Sequence, residues 1–335
     1  METVNCDFCG SNDYKTIIKQ RDFVHRTSEE LFEIVECQEC GLKYTNPRPQ
    51  MDEIQKYYSE DYAFHSFQSV VKMYFTTFAE IIANMPFSSV FDLVPFIGRR
   101  LSQFVKPSIA DPVLRYFKTG GRGPFLDIGC GSAAYANYWG RSGSLLSYRK
   151  FCEVYGVETN ERARMKISSY NIQIWEHIDQ IEKNKKFGII RMNWSLEHVH
   201  RPSKYFSFMK EHLADYGKII ITVPNYDGII YRLSPKCVEL PIHLYHFKPN
   251  DIMNYAKRNN LTVTNLKTFS YYQMFVFASK IGLLPKSMLF KDSIKKAKAF
   301  KDIFLHLDGA GFGNDMIVEM QHSSFNSQTD SLSGY

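Results

Sequence analysis

After Gly120 the chain repeats one pattern: a short apolar run, a turn, then a stretch at helical spacing. The runs are FLDIG, YGVE, FGIIRM, GKIIITVP, LTVTNL and DMIVEM. Apolar runs alternating with helical stretches bury both faces of a sheet, so the pattern predicts an α/β fold with a mostly parallel sheet. At 335 residues and 44% hydrophobic content, the chain can bury one large core and a smaller one beside it.

The first 50 residues follow a different logic. CDFCG carries Cys6 and Cys9, and CQECG carries Cys37 and Cys40; each pair sets two thiols two residues apart, followed by a turn-forming glycine. Two such knuckles can close a tetrahedral Zn²⁺ site that is structural, because four thiolates leave the ion no open position. The N-terminus has no charged start followed by an apolar run, and no long apolar stretch occurs, so the expected location is the cytoplasm, where cysteines stay reduced.

NPRP marks the end of this segment. The expected organisation is a zinc ribbon over 1–50, a helical connector over 51–118, an α/β domain over 119–320 and a polar, disordered tail over 321–335.

FLDIGCGSAAY reads as a strand entering a glycine-rich turn and then a helix. Glycines let the backbone approach a ligand closely, and a helix N-terminus offers free N–H groups. The next run, YGVE, ends in Glu158, where a carboxylate can accept hydrogen bonds from two ribose hydroxyls. Together they point to an adenosine-containing cofactor. Residues 128–157 separate Asp127 from Glu158, more than the compact fingerprint's spacing of about 20, and GRSGSLLSYRK at 140–150 reads as an inserted loop.

LDIGCGS, GVE, NWSLEHVHRP at 193–202 and TVPN at 222–225 together resemble class I S-adenosylmethionine-dependent methyltransferases. The two CxxCG knuckles followed by GLKYTNPRP and YYSEDYAFH resemble more narrowly the zinc-ribbon branch, many members of which act in sugar, O-antigen or capsule biosynthesis. The resemblance implies a Rossmann-like sheet, mostly parallel with an antiparallel last strand. It implies that Asp127, Gly129 and Gly131 contact the methionine end of S-adenosylmethionine, that Glu158 holds the ribose and that Asn193 borders the sulfonium. Cys130, inside the same loop, joins this set by position, although an unpaired thiol also reads as packing. The histidines of the LEHV-like and HLYHF-like segments, with a tyrosine after NPRP, are implied to line the active site. Those residues are His198, His243, His246 and Tyr58. Two positions depart from the pattern: Ala133 replaces a third glycine, and Gly188 stands where an acid is usual.

Methyl transfer from a sulfonium requires alignment and removal of a proton from the acceptor, and histidine is the natural base near neutral pH. FGIIRM leads into NWSLEHV rather than an NPPY-like turn, which favours a hydroxyl or an activated carbon over an amine. Residues at a strand's C-terminal end face the ligand crevice. Glu197 and His198 either do so or cap the following helix. His243 and His246, three apart on an extended segment, would point to opposite faces and could share an ion only if the segment turns. The expected arrangement sets His243 opposite His198 across the acceptor, with His246 as the substitute base.

The expected function is therefore methylation, on oxygen or carbon, of a nucleotide-linked sugar or glycan precursor. A phenolic or lipid-quinone acceptor is the alternative within the same chemistry. A nucleic-acid-binding ribbon is a third reading. The mild net charge of +6 and the acidic ribbon, with Asp7, Asp13, Asp22, Glu29, Glu30, Glu33, Glu36 and Glu39, argue against that third reading. IKKAKAFKDIFLHL at 294–307 places Ile294, Ala297, Ile303, Phe304 and Leu307 near one helical face, which suits either a peripheral membrane contact or a helix covering the sheet.

Overall fold

A computed structural model describes residues 1–58, 111–132, 145–149, 151–270, 278–279, 281–285 and 303–323. The expected connector 51–118 falls mostly outside these residues, as do the 294–302 part of the amphipathic stretch and the tail from 324.

Three short strands, β1 (Tyr14–Gln20), β2 (Phe32–Cys37) and β3 (Lys43–Thr45), form an antiparallel ribbon in the order β1, β2, β3. The knuckles lie at its end: Cys37 closes β2, and the turn that follows carries Cys40.

The α/β domain is a seven-stranded sheet. Its strands are β4 (Phe125–Ile128), β5 (Val154–Val157), β6 (Gln173–Trp175), β7 (Phe187–Asn193), β8 (Leu213–Pro224), β9 (Leu261–Phe269) and β10 (Asp315–His322). The order is β6, β5, β4, β7, β8, β10, β9, with β4 to β8 parallel and β10 antiparallel to both β8 and β9. This is the Rossmann-like sheet expected. The chain leaves β4 toward β5 and β6, then returns to β7 on the other side, so the strand order reverses at β4 and opens a crevice beyond its C-terminal end.

The sequence explains the layering. In FGIIRM every residue is buried, and successive side chains enter opposite cores. Ile190 and Met192 join one cluster with Leu126, Ile128 and Phe206, while Ile189 joins another with Phe125, Tyr116 and Tyr148. A strand buried on both faces reads as an unbroken apolar run. Helices carry their own start signals: Asp111 accepts from the amides of Val113 and Leu114 ahead of α1 (Pro112–Lys118), which has proline at its first position. Asn160 accepts from Ala163 at the start of α2 (Glu161–Ser168).

Some expectations change. β6 was not anticipated; QIW is too short to show an alternation. β10 runs to His322, two residues into the stretch read as a tail. The stretch read as an inserted loop at 140–150 contains a helical turn, Leu145–Tyr148, whose Leu145 and Tyr148 are buried in the core. Tyr148 also donates to Asp111 at 2.6 Å. Gly188 has a local cause: a Cβ there would lie 1.9 Å from the carbonyl oxygen of Arg122, so no side chain fits where an acid is usual. Of the amphipathic stretch, Phe304 packs against the core while Ile303 is 57% exposed, so the expected apolar face is not a single buried stripe.

The ribbon and the sheet share one core. Cys6, Val35, Tyr44 and Ile54 belong to the same apolar cluster as Leu126, Met192, Leu244 and Tyr255. Polar contacts reinforce it: Arg48 donates to the carbonyl of His200 at 2.9 Å, and Thr45 Oγ1 donates to the carbonyl of His243 at 2.8 Å.

Candidate active site

Three loops meet beyond the C-terminal ends of β4, β5 and β7. The β4 loop turns at Gly129, whose φ of 74° lies in the left-handed region, and a Cβ there would come within 2.5 Å of Ser195 Cβ. Only glycine lets this loop pass so close to the β7 loop. Gly131 follows, and its amide donates to Glu158 Oε2 at 2.7 Å. The other Glu158 oxygen accepts from the amide of Asn160 at 2.8 Å. Burial pushes the Glu158 carboxyl up, and these backbone donors partly offset the push. Glycine loop and strand-end acid are therefore already in contact.

Asp127 is placed differently from a free ligand contact. Arg191 sits opposite it in the parallel register and donates to both its oxygens, at 2.8 and 2.6 Å, with both side chains about 95% buried. The pair ties β4 to β7 under the loop. Cys130 packs its sulfur over Gly156, where a Cβ would meet it at 2.7 Å, and burial pushes its thiol well up. Its side chain is a packing group.

At the end of β7 the polar inventory is unbalanced. Among the described residues, Asn193 Oδ1 and both carboxylate oxygens of Glu197 are buried without a hydrogen-bond partner. Buried polar groups are normally satisfied, so these atoms at the C-terminal end of β7 are candidate ligand contacts. Burial, the largest influence on Glu197, raises its carboxyl well above the usual range. Trp194, between them, has a φ of 50°, an uncommon conformation for a bulky residue, and its indole donates to Asp315 at 2.8 Å.

The turn Leu196–His198 and the segment after Leu240 are locked together, since the carbonyl of Glu197 accepts from the amides of Leu244 and Tyr245. This lock brings His198 and His243 edge to face, with ring centroids 4.7 Å apart. One ligating atom from each of Glu197, His198 and His243 lies within 4.8 Å of the others. Tyr58 completes one side: its hydroxyl is 3.1 Å from His198 Nδ1, which also lies 3.0 Å from the carbonyl of Ile242. On the other side, His243 Nε2 lies 3.9 Å from Glu239 Oε2, and that oxygen is 2.7 Å from His25 Nε2. Burial lowers the His243 pKa well below its ordinary value, so the ring is a neutral proton acceptor. The arrangement is a chain of proton donors and acceptors, anchored at both ends by N-terminal residues.

His246 is held apart from this pair. Its Nε2 lies 3.1 Å from Thr45 Oγ1, its amide donates to the carbonyl of Lys43, and its ring packs 5.4 Å from Tyr226. Burial depresses its imidazole to about 3. His243 and His246 do line one small recess with Tyr226, Tyr231 and Tyr245, although their partners differ.

The four cysteines form a separate group. Cys6 and Cys40 sulfurs are 3.5 Å apart, Cys9 and Cys37 sulfurs 3.4 Å, and all four lie within 4.8 Å of one another. Zn–S bonds of about 2.3 Å put tetrahedral sulfurs about 3.8 Å apart, so the set fits the ion. Burial raises the Cys6 thiol, and raises Cys40 to about 11. A bound cation would reverse that trend by stabilising thiolates.

Sequence reasoning missed His25, Glu239, Asp7 and Arg191. Arg191 could have been suspected as a lone charge within an apolar run, and Glu239 as an acid four residues before His243. Isolated residues such as His25 and Asp7 carry no local spacing signal.

The sheet order and the glycine loop against a strand-end acid are those of a Rossmann-like, S-adenosylmethionine-dependent methyltransferase domain, which the chain carries. Residues 101–266 match the family model described as a methyltransferase domain. The mitochondrial ubiquinone biosynthesis O-methyltransferase of Dictyostelium discoideum is 22% identical over 170 residues, which cover 44% of this chain and 52% of that protein. The chain thus spans about half the length of that relative. Similar solved structures include an S-adenosylmethionine-dependent methyltransferase from Archaeoglobus fulgidus, at TM-score 0.44 and 16% identity over 66% of this chain and 93% of that one. Another comes from Clostridium acetobutylicum ATCC 824, at TM-score 0.39 and 15% identity over 63% and 89%. No described helix is long and apolar enough to cross a membrane.

Proposed function

We propose that the enzyme methylates a hydroxyl or an activated carbon of a nucleotide-linked sugar or glycan precursor in the cytoplasm, with His243 as general base. The observation that carries this reading is the edge-to-face pair of His198 and His243 beside the orphaned Glu197 carboxylate, directly beyond β7. When bound, S-adenosylmethionine supplies an activated methyl group. Glu158 and the Gly129 to Gly131 turn hold its ribose and methionine ends, with Asn193 Oδ1 bordering the sulfonium. His243 takes the acceptor's proton, while His198, held through Nδ1 by Tyr58 and the Ile242 carbonyl, orients the acceptor. His246 packs under the recess. Zn²⁺ on Cys6, Cys9, Cys37 and Cys40 keeps the ribbon folded against this pocket and takes no part in the transfer.

Incubation with methyl-¹³C S-adenosylmethionine and a panel of nucleotide-linked sugars tests the reading. A product heavier by one labelled methyl, with the carbon shift of an O- or C-methyl group, supports it. Labelling of catechol or quinol acceptors alone contradicts it and favours the second reading, O-methylation of a phenolic acceptor. That second reading rests on the Dictyostelium relative.

A further inference from the structure

Polar contacts run from the pocket back into the ribbon. Glu239 Oε2 stands between two imidazoles, 2.7 Å from His25 Nε2 and 3.9 Å from His243 Nε2. The first is a hydrogen bond; the second is beyond hydrogen-bond reach, so Glu239 acts on the neutral His243 ring through its charge. His25 lies in the connection between β1 and β2, far from the sheet in sequence, and its own backbone is fixed: its amide and that of Val24 donate to Asp22 Oδ1, at 2.8 and 3.1 Å. Asp22 is buried, and its second oxygen accepts from the amide and hydroxyl of Thr27. The ribbon therefore presents His25 from a rigid turn. Glu239 is tied to His243 through the backbone as well, since the His243 amide donates to the Glu239 carbonyl at 2.8 Å.

We propose that His25 is a positioning residue: it holds Glu239 with its carboxylate 3.9 Å from Nε2 of His243, where the negative charge favours the proton on that nitrogen and leaves the Nδ1 lone pair as the base. A neutral imidazole carries its proton on one nitrogen and accepts at the other, and the partner of one nitrogen decides which. A carboxylate on one side of a histidine base selects its tautomer in the same way in hydrolytic triads. The charges suit the arrangement. Burial alone would raise the Glu239 carboxyl, and the hydrogen bond and charge of His25 hold it down, so it is an anionic acceptor. Burial opposes charge on His25, yet the Glu239 hydrogen bond holds its imidazolium above the ordinary value. On the other flank, His246 is engaged with Thr45. The ribbon thereby becomes part of the pocket's proton chemistry.

This inference rests on the reading of His243 as the base, but its test needs no acceptor. Full-length, zinc-loaded protein labelled with ¹⁵N-histidine is observed by NMR through its imidazole nitrogens, with His243→Gln assigning the signal. Wild type shows His243 protonated at Nε2. Glu239→Gln and His25→Ala both lose the fixed tautomer and give averaged nitrogen shifts, whereas His25→Gln, which keeps a donor toward Glu239, restores the wild-type pattern. Binding of S-adenosylhomocysteine, measured in parallel, confirms that each variant is folded. An unchanged His243 pattern in Glu239→Gln overturns the proposal, even if His25→Ala fails to fold. So does protonation at Nδ1 in wild type. If the pattern behaves as expected but His243→Ala keeps full turnover, the general-base reading fails while the positioning by His25 stands.

Discussion

Asp7, one residue after the first knuckle cysteine, accepts the backbone amide of Ser203 at 2.7 Å and its hydroxyl at 2.8 Å. Ser203 is the second residue of helix α3 (Pro202–His212), whose own N-cap, Arg201, makes no side-chain cap. The ribbon thus supplies a cap that the helix lacks, and Tyr255 donates to the same carboxylate at 2.8 Å. Asp7→Ala should cost about 1 kcal/mol for the cap and about 1 to 3 more for the Tyr255 hydroxyl left without its partner. Thermal denaturation followed by circular dichroism checks this, and an unchanged Tm would mean that the contact carries no stability.

The shared core would make loss of the proposed zinc a whole-molecule event. Cys37→Ser, or a strong chelator, should release the ion and destabilise the cofactor domain as well as the ribbon, because structural metal binding is coupled to folding. Metal content by mass spectrometry, set beside S-adenosylhomocysteine binding, tests it. Full cofactor affinity in a metal-free protein would show the two parts to be energetically independent.

Arg191 and Asp127 form a buried ion pair whose members cannot be removed singly without penalty. Arg191→Met leaves an uncompensated carboxylate and should cost about 3 to 5 kcal/mol, while the double variant Arg191→Met with Asp127→Leu should recover most of that loss. Urea unfolding of the four proteins measures the cycle. Equal stabilities for the single and double variants would contradict it.

Asp315 gives a pH dependence of known sign. Burial raises its carboxyl from 3.8 to about 7 in the folded state, opposed by the Trp194 hydrogen bond. A group raised on folding contributes stability that is fully present below its unfolded pKa and is lost as pH rises through the folded one. The wild type should therefore lose stability between roughly pH 4 and 7 by this route. Asp315→Asn, neutral at every pH, should flatten that part of the profile. Parallel slopes of Tm against pH for the two proteins would contradict the assignment.

Much of the fold could be read from apolar runs because β4, β7 and the second half of β8 are buried on both faces, where a polar residue needs a partner such as Arg191 has in Asp127. β6 escaped because three residues cannot display a period. Local patterns point to residues that the fold brings to the same end of the sheet: Gly129 and Gly131 beside Glu158 at a strand end, and His198 after β7. Asp127 was assigned to the cofactor by its place in the motif, but its partner lies on the neighbouring strand, and register across a sheet is not visible in one segment. His25 and Asp7 act across sequence separations that only the docking of ribbon on sheet brings together. The two histidines of HLYHF, alike in sequence, part company for the same reason: His246 meets Thr45 of β3, while His243 meets His198 and Glu239.

The most direct test of the account is His243→Ala, assayed for methyl transfer to the acceptor that the wild type uses and for S-adenosylhomocysteine binding by calorimetry. The account predicts turnover reduced by about 10²-fold or more with cofactor affinity unchanged, since a positioned base contributes about 10²- to 10⁴-fold. Wild-type turnover in this variant would remove His243 from the chemistry and contradict the central claim.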